Sequence, residues 1–503
     1  MEWGRWCVVC AFGAPRRELL RDHGPNIGDM RDVIDKVIGR IAKFVLRGFF
    51  RSLEIQGAER VPRDRPVLLV ANHFNGFVDP ATLVAVFGRT PRFLAKATLW
   101  KNPLVRPLLR LIGILPVARS QDTSDTSKNE STFAACHDAL REGEIVALFP
   151  EGTTTDTPML QKIRTGAARI ALGARADGVE GLEIVPIGLK YESKVALRRR
   201  AFARIGDPID LDSMIDEVVD AGEVQDETNH EAVNKLTELI RERLEDVSPD
   251  YADWVQDQFF AWVAEVSLRS QITNYRKEVS LIDRELLAQQ LAYADDERIH
   301  DMAEAAGRYL VALHLTGLDD TQVIADYSTP RLVEHATWTA TRVVGLTPAI
   351  AAGIAVNWLP YWALKTAGQS VSAPVTKGTV RLLTALGAFP LTWALTTTLA
   401  WRRRGWKLGI VTLLAGPFGG FAAVYAHERW TNLTRAWNGW QRRRDLKARL
   451  PAVLAARKEL TDAIDSALMT SDAGRARGKD RAVVQLGVRS PSSAAASSGS
   501  AKS

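Results

Sequence analysis

The sequence predicts an α/β domain, then a helical region, then a set of apolar C-terminal helices. Three observations predict this order. Short apolar runs at 67–71, 93–95, 145–149 and 184–189 alternate with helical patterns across residues 53–215, as expected where helices lie against a sheet. Residues 228–335 are charged, with apolar residues recurring at helical spacing, as in Ala232, Leu236, Leu239, Ile240 and Leu244. Beyond residue 340 come three long stretches without a charge.

The elements follow in chain order. Segment 6–13 is apolar but short, and Glu2 and Arg5 are the only charges before it. A cleaved signal needs a positive start and a longer apolar core, so secretion is not expected. Amphipathic sequence begins directly after Met30, so 1–29 reads as unstructured, or as lying ahead of the true start. Over 30–52, Val33, Ile34, Val37, Ile38, Ile41, Ala42, Val45 and Leu46 give the spacing of an amphipathic helix. It either covers the domain core or lies on a bilayer surface. Patterns at 103–112, 129–140 and 164–175 read as helices. Asp207-Pro208, followed by Asp210 and Asp212, marks a turn into a further helix.

Trp254, Phe259, Phe260 and Trp262 read as core contacts among the helices of 228–335. The region 338–427 holds the uncharged runs 343–364, 382–401 and 408–426. At about 1.5 Å per residue each approaches the roughly 30 Å of a bilayer's apolar core. Trp358, Trp362, Trp393, Trp401 and Trp406 lie at or near their ends, as an aromatic belt would. The positive-inside rule puts the Arg402–Arg404 loop in the cytoplasm. Over 428–470, Trp430, Leu433, Trp437 and Trp440 share a helical face among arginines, a pattern suited to an interface. The segment 471–503 turns Gly-, Arg- and Ser/Ala-rich and reads as a disordered tail.

The chain has 503 residues, 46% hydrophobic and 25% charged, with a formal charge of +6. That charge is too small for this length to argue for nucleic acid. The basic clusters Arg198–Arg200, Arg402–Arg404 and Arg442–Arg444 suit an anionic membrane surface better. Cys7 and Cys10 form a CxxC, but no second pair accompanies it, so neither a metal site nor a redox site is expected.

The chemistry concentrates at two strand ends. Asn72-His73-Phe74-Asn75-Gly76-Phe77-Val78-Asp79-Pro80 follows the run 67–71, and Phe149-Pro150-Glu151-Gly152-Thr153 follows 145–149. A histidine can take a hydroxyl proton near neutral pH. A carboxylate on its other nitrogen fixes the tautomer and stabilises the imidazolium. His73 and Asp79 have the right chemistry for those two roles. Further polar blocks follow. Gly113 to Arg119 ends in a cation, and Gln161-Lys162-Ile163-Arg164 leads into a helix. Val185-Pro186-Ile187-Gly188 has Lys190 nearby. Arg119, Lys162 and Arg164 could grip a phosphate. There is no G-x-S-x-G elbow at the site, which argues against an acyl-serine route.

These blocks, in this order across 72–189, resemble the glycerolipid acyltransferase family, whose members acylate glycerol-3-phosphate, lysophosphatidate and related acceptors. The resemblance covers about 50–215. It implies a mixed sheet flanked by helices, with His73 as general base and Asp79 as its orienting carboxylate. It also implies Arg119 on the acceptor phosphate, with Glu151, Gly152, Lys162 and Arg164 shaping the acceptor site. The donor would be acyl-coenzyme A or acyl carrier protein as co-substrate, with no cofactor and no metal. The partners would be a glycerol-phosphate-type acceptor, the acyl thioester and anionic membrane lipids, with no nucleic acid. The protein would be membrane-bound, its catalytic domain facing the cytoplasm. One departure stands out. Five residues separate His73 from Asp79, where the family's usual motif has four, so Phe74–Val78 must bulge. Two alternatives stay open: a non-catalytic lipid-binding scaffold on the same fold, and acylation of a non-phosphate acceptor.

Overall fold

The structure, a computed structural model, describes residues 27–475 apart from 102, 104, 105, 118–128, 194, 221 and 222. The expectations for Cys7, Cys10 and Arg119, and for the tail beyond 475, lie outside the described residues.

The first half is an eight-stranded mixed sheet with helices on both faces. Helix α1 (Ile27–Phe49) runs directly into β1 (Phe50–Gln56), and β2 (Val67–Ala71) leads into α2 (Val78–Phe87). Then come β3 (Arg92–Lys96), α3 (Arg106–Ile112), β4 (Leu115–Val117), α4 (Asn129–Arg141), β5 (Ile145–Leu148) and α5 (Gly166–Ala176). The half closes with β6 (Glu183–Tyr191), β7 (Arg199–Ile205), β8 (Ile209–Asp210), α6 (Leu211–Val218) and α7 (His230–Val247). The strand order is β1-β7-β6-β2-β5-β3-β4, with β8 also on β6. β2 pairs in parallel with both β5 and β6, while β7 and β8 run antiparallel to β6.

Three of the four apolar runs, those of β2, β5 and β6, are strands covered on both sides, whereas in β3 only Phe93 is buried. In β2, Leu68 and Val70 enter the core beneath α4, α5 and α7, while Val67, Leu69 and Ala71 enter the one beneath α1 and α2. A strand buried on both faces shows no polar alternation. The helix expected over 30–52 ends at Phe49, and β1 takes over at Phe50. Phe50 and Leu53 are buried there, and the strand pairs in parallel with β7. The turn at Asp207–Asp212 matches expectation, since Asp210 caps α6 by accepting from the amides of Asp212 and Ser213.

The boundary placed between 215 and 228 does not separate two cores. Ala232, Val233, Leu236, Ile240 and Leu244 of α7 pack in the same core as Leu68 and Val146. A second, helical core starts only at Tyr251. It contains α8 (Trp254–Arg269), α9 (Leu281–Ala292), α10 (Asp296–Thr316) and α11 (Asp320–Ile324). The apolar helices follow as α12 (Thr329–Gln369), α13 (Pro374–Arg404), α14 (Trp406–Leu414) and, after a short π-helical turn, α15 (Gly420–Asp445). Three helices, α12, α13 and the continuous 406–445 unit, are long and apolar enough to cross a membrane. Asn357 joins them. Its amide donates to the Gly416 and Gly353 carbonyls (both 2.8 Å) and accepts from Trp393 Nε1 (2.8 Å).

The last helix, α16 (Leu450–Arg475), corrects the reading of 428–470 as one surface segment. Val453, Leu460, Ile464 and Ala467 are buried in the helical core, and the Arg457 guanidinium donates to Asp320. The basic clusters also divide. Arg200 is buried and paired with Glu192, and Arg198 donates to Glu428 and to the Phe50 carbonyl. Arg442 and Arg443 donate to the carbonyls of Gly317 and Ala325. Arg402–Arg404 are exposed. Two clusters expected on a membrane surface therefore hold the fold together.

Candidate active site

β2 and β5 are parallel neighbours, Val70 facing Leu148. Their carboxyl ends therefore emerge side by side, which is where parallel sheets place their polar sites. Asn72 is spent on structure: its side-chain amide donates to the Leu189 carbonyl (3.0 Å) and accepts from the Leu189 amide (2.7 Å). His73 comes next, half-buried. Its backbone N–H donates to Glu151 Oε1 (2.6 Å), and its ring stacks on Phe149 with centroids 4.1 Å apart.

The ring nitrogen Nδ1 lies 2.9 Å from Asp79 Oδ2. Residues 74–77 turn out of the strand and α2 begins at Val78, which puts Asp79 in its first helical turn. The Asp79 amide donates to the Asn75 carbonyl (3.0 Å), and the Asn75 amide donates to Asp79 Oδ2 (2.7 Å). This reciprocal pair absorbs the five-residue spacing, and the bulge brings the carboxylate back onto the imidazole. Asp79 is fully buried. A buried carboxylate needs donors on both oxygens, and Tyr191 Oη supplies the one on Oδ1 (2.7 Å). Burial, reinforced by the Asp79 charge, pushes the Tyr191 phenol well above its ordinary range, which favours the protonated donor.

Glu151 is buried, and its oxygens accept the amides of His73 and Gln161 (3.2 Å). It thus holds the two strand ends together from inside. Gly152 follows at φ 68°, a left-handed conformation that glycine adopts without strain. A Cβ there would sit 2.8 Å from Arg164 Nε. Arg164 folds over this turn: its amide donates to the Pro150 carbonyl (2.9 Å) and its Nε to the Glu151 carbonyl (3.3 Å). Lys162 is exposed on the same segment. Arg119 lies outside the described residues, though β4, which precedes it, runs parallel to β3 and ends at Val117. Lys190 points elsewhere, into a buried ion cluster with Asp257 and Glu285.

Sequence reasoning missed four contributors. Phe149 opens the second polar block and Tyr191 lies just past the run 184–189, but the sequence assigns neither a part in the site. Trp254, grouped with the helical aromatics, instead packs edge-on against Phe74 at 6.5 Å and donates to the Asp156 carbonyl. Thr379 of α13 accepts the Phe77 amide at 3.0 Å from 302 residues away. No local pattern could have announced that contact.

Comparison with known proteins meets this geometry at the same residues. The family described as Acyltransferase matches residues 52–190. The chain is similar to glycerol-3-phosphate O-acyltransferase 2 of Saccharomyces cerevisiae, 30% identical over 39% of this chain and 26% of that protein. It is also similar to the chloroplastic 1-acyl-sn-glycerol-3-phosphate acyltransferase LPAT1 of Arabidopsis thaliana, 28% identical over 29% of this chain and 38% of that protein. With the 1-acyl-sn-glycerol-3-phosphate acyltransferase of Bacillus subtilis it shares 31% identity over 26% of this chain and 60% of that protein. In each case the chain spans less than two thirds of the relative's length.

Proposed function

We propose that the protein is a membrane-bound O-acyltransferase that moves a fatty acyl group from a thioester to the hydroxyl of a glycerol-phosphate-type acceptor. The observation that carries this reading is the His73–Asp79 pair: Nδ1 lies 2.9 Å from a fully buried carboxylate, at the carboxyl edge of the sheet. With Nδ1–H donating to Asp79, the lone pair of Nε2 is free to accept a proton.

The steps follow from that tautomer. The acceptor hydroxyl attacks the thioester carbonyl carbon while its proton passes to His73 Nε2. The imidazolium is stabilised by Asp79, whose carboxylate also accepts from Tyr191 Oη and the Asn75 amide. The tetrahedral adduct then collapses, the C–S bond breaks, and the thiolate leaves with little need of acid. The new ester bond stays on the acceptor, and the proton on His73 returns to thiolate or water.

The acceptor class rests on the names of the relatives, which are glycerol-3-phosphate and 1-acylglycerol-3-phosphate enzymes. Arg119, Lys162 and Arg164 are the cations for the phosphate, with Glu151 and Gly152 shaping the turn that presents Arg164. The three long apolar helices support the membrane assignment. The exposed Arg402–Arg404 favours a cytoplasmic face for that loop.

The test is thiol release from acyl-coenzyme A or acyl carrier protein, with glycerol-3-phosphate or lysophosphatidate as acceptor. Wild type is compared with His73→Ala. The expected loss is about two to four decades in turnover. Equal rates in the two proteins would remove His73 as the base. A preserved acceptor KM in Arg119→Ala would remove the phosphate from the description.

A further inference from the structure

Residues 74–77, between His73 and Asp79, are held by contacts from three directions. Phe74 packs against Trp254. The Asn75 amide is taken by Asp79 itself. The third hold comes from the apolar C-terminal half. Thr379 Oγ1 accepts the amide of Phe77, the residue on which α2 starts, at 3.0 Å. The same oxygen lies so close to Gly76 that a Cβ there would meet it at 2.9 Å. Amides at a helix start have no partner within the helix, so an outside oxygen decides where that start sits.

Thr379 does not touch the loop alone. On the same turn of α13 the Arg381 guanidinium donates to the Val195 carbonyl, in the connection between β6 and β7. Leu382 is 1% exposed, buried among the residues beneath α1 and α2. The turn 379–382 is therefore seated in the α/β domain, and α13 goes on from it as one of the helices long and apolar enough to cross a membrane.

We infer that Thr379 is a positioning residue for the His73–Asp79 pair, acting through the Phe77 amide, so that catalytic alignment depends on the seating of an apolar helix. This rests on the acyl-transfer reading above and adds the element that regulates its geometry. Thr379 touches no reacting atom. It sets the start of α2, and α2 carries Asp79.

The experiment uses the full chain in detergent or vesicles. Thr379→Val keeps the branched shape and removes the acceptor oxygen, whereas Thr379→Ser keeps the oxygen. Two readouts are taken: kcat and acceptor KM, and hydrogen exchange of the amides in 73–79. Thr379→Val is expected to lower kcat about three- to tenfold, the scale of one hydrogen bond, with KM within about twofold. Exchange in 74–78 should accelerate while the thermal midpoint stays close to wild type. Thr379→Ser should restore both readouts. Unchanged exchange and kcat in Thr379→Val would overturn the inference, as would equal losses in the Val and Ser variants. If wild type transfers no acyl group, the acyl-transfer reading fails by itself, and the exchange measurement still decides whether Thr379 holds the loop.

Discussion

Tyr191→Phe separates the catalytic pair from its support. The ring stays, still stacked on Phe50 at 5.5 Å between centroids, and only the donor to Asp79 Oδ1 is lost. Asp79 is fully buried, so water does not readily replace the phenol. A hydrogen bond to a charged group is worth about 1.5–3 kcal/mol. At about 1.36 kcal/mol per tenfold in rate, a loss of that size in holding the pair aligned should slow turnover about ten- to a hundredfold. Acceptor KM should change little, because the phenol faces Asp79 and not the acceptor. The assay is thiol release by wild type and Tyr191→Phe at saturating acceptor, with thermal unfolding of both. An unchanged kcat would refute the claim that Tyr191 supports Asp79 in the catalytic pair.

Three further outcomes are expected. Gly152→Ala puts a side chain at φ 68° with its Cβ 2.8 Å from Arg164 Nε; it should cost about 1–2 kcal/mol and raise acceptor KM, read by thermal unfolding and steady-state kinetics. Burial opposes ionisation of Glu192, but Arg200 and Arg284 outweigh it and lower the carboxyl below its ordinary range. Its stabilisation is therefore full above the unfolded carboxylate pKa and fades as pH falls through the lowered folded value. Glu192→Gln should lose about 1.5–3 kcal/mol at pH 7 by weakening charge-assisted bonds to buried Arg200, which keeps the Val279 carbonyl, and the gap to wild type should narrow below about pH 4, checked by unfolding at several pH values. Asn357→Leu removes the amide that ties α12 to Trp393 and Gly416; it should cost about 1–2 kcal/mol, with a non-additive double variant with Trp393→Phe in detergent unfolding.

What could be read from the sequence divides along physical lines. β2, β5 and β6 were legible because burial on both faces leaves an unbroken apolar run. His73, Asp79 and Glu151 were legible because polar residues directly after such runs have few structural reasons to be there. β7 was not: it opens on Arg199-Arg200, and a buried arginine is tolerable there because Glu192, just past the end of β6, and the Val279 carbonyl accept from it. The junction at Phe49/Phe50 was missed because one apolar pattern serves the end of α1 and the start of β1. Tyr191 lies just past the run 184–189 as an ordinary aromatic, and its partner lies 112 residues earlier. The pairing of α16 with α10 depends on separations that periodicity does not encode.

That last pairing bears on how the protein is made. The bundle begun at Tyr251 is finished only by Val453, Leu460 and Ile464, so a nascent chain must produce everything from 329 to 445 before it can seal the interior it started. Until then Met302, Leu313 and Val323 have no lid, the kind of delay that invites wrong association. A stop codon ahead of 450 would not trim an appendage. It would leave an unroofed groove in the middle of the molecule.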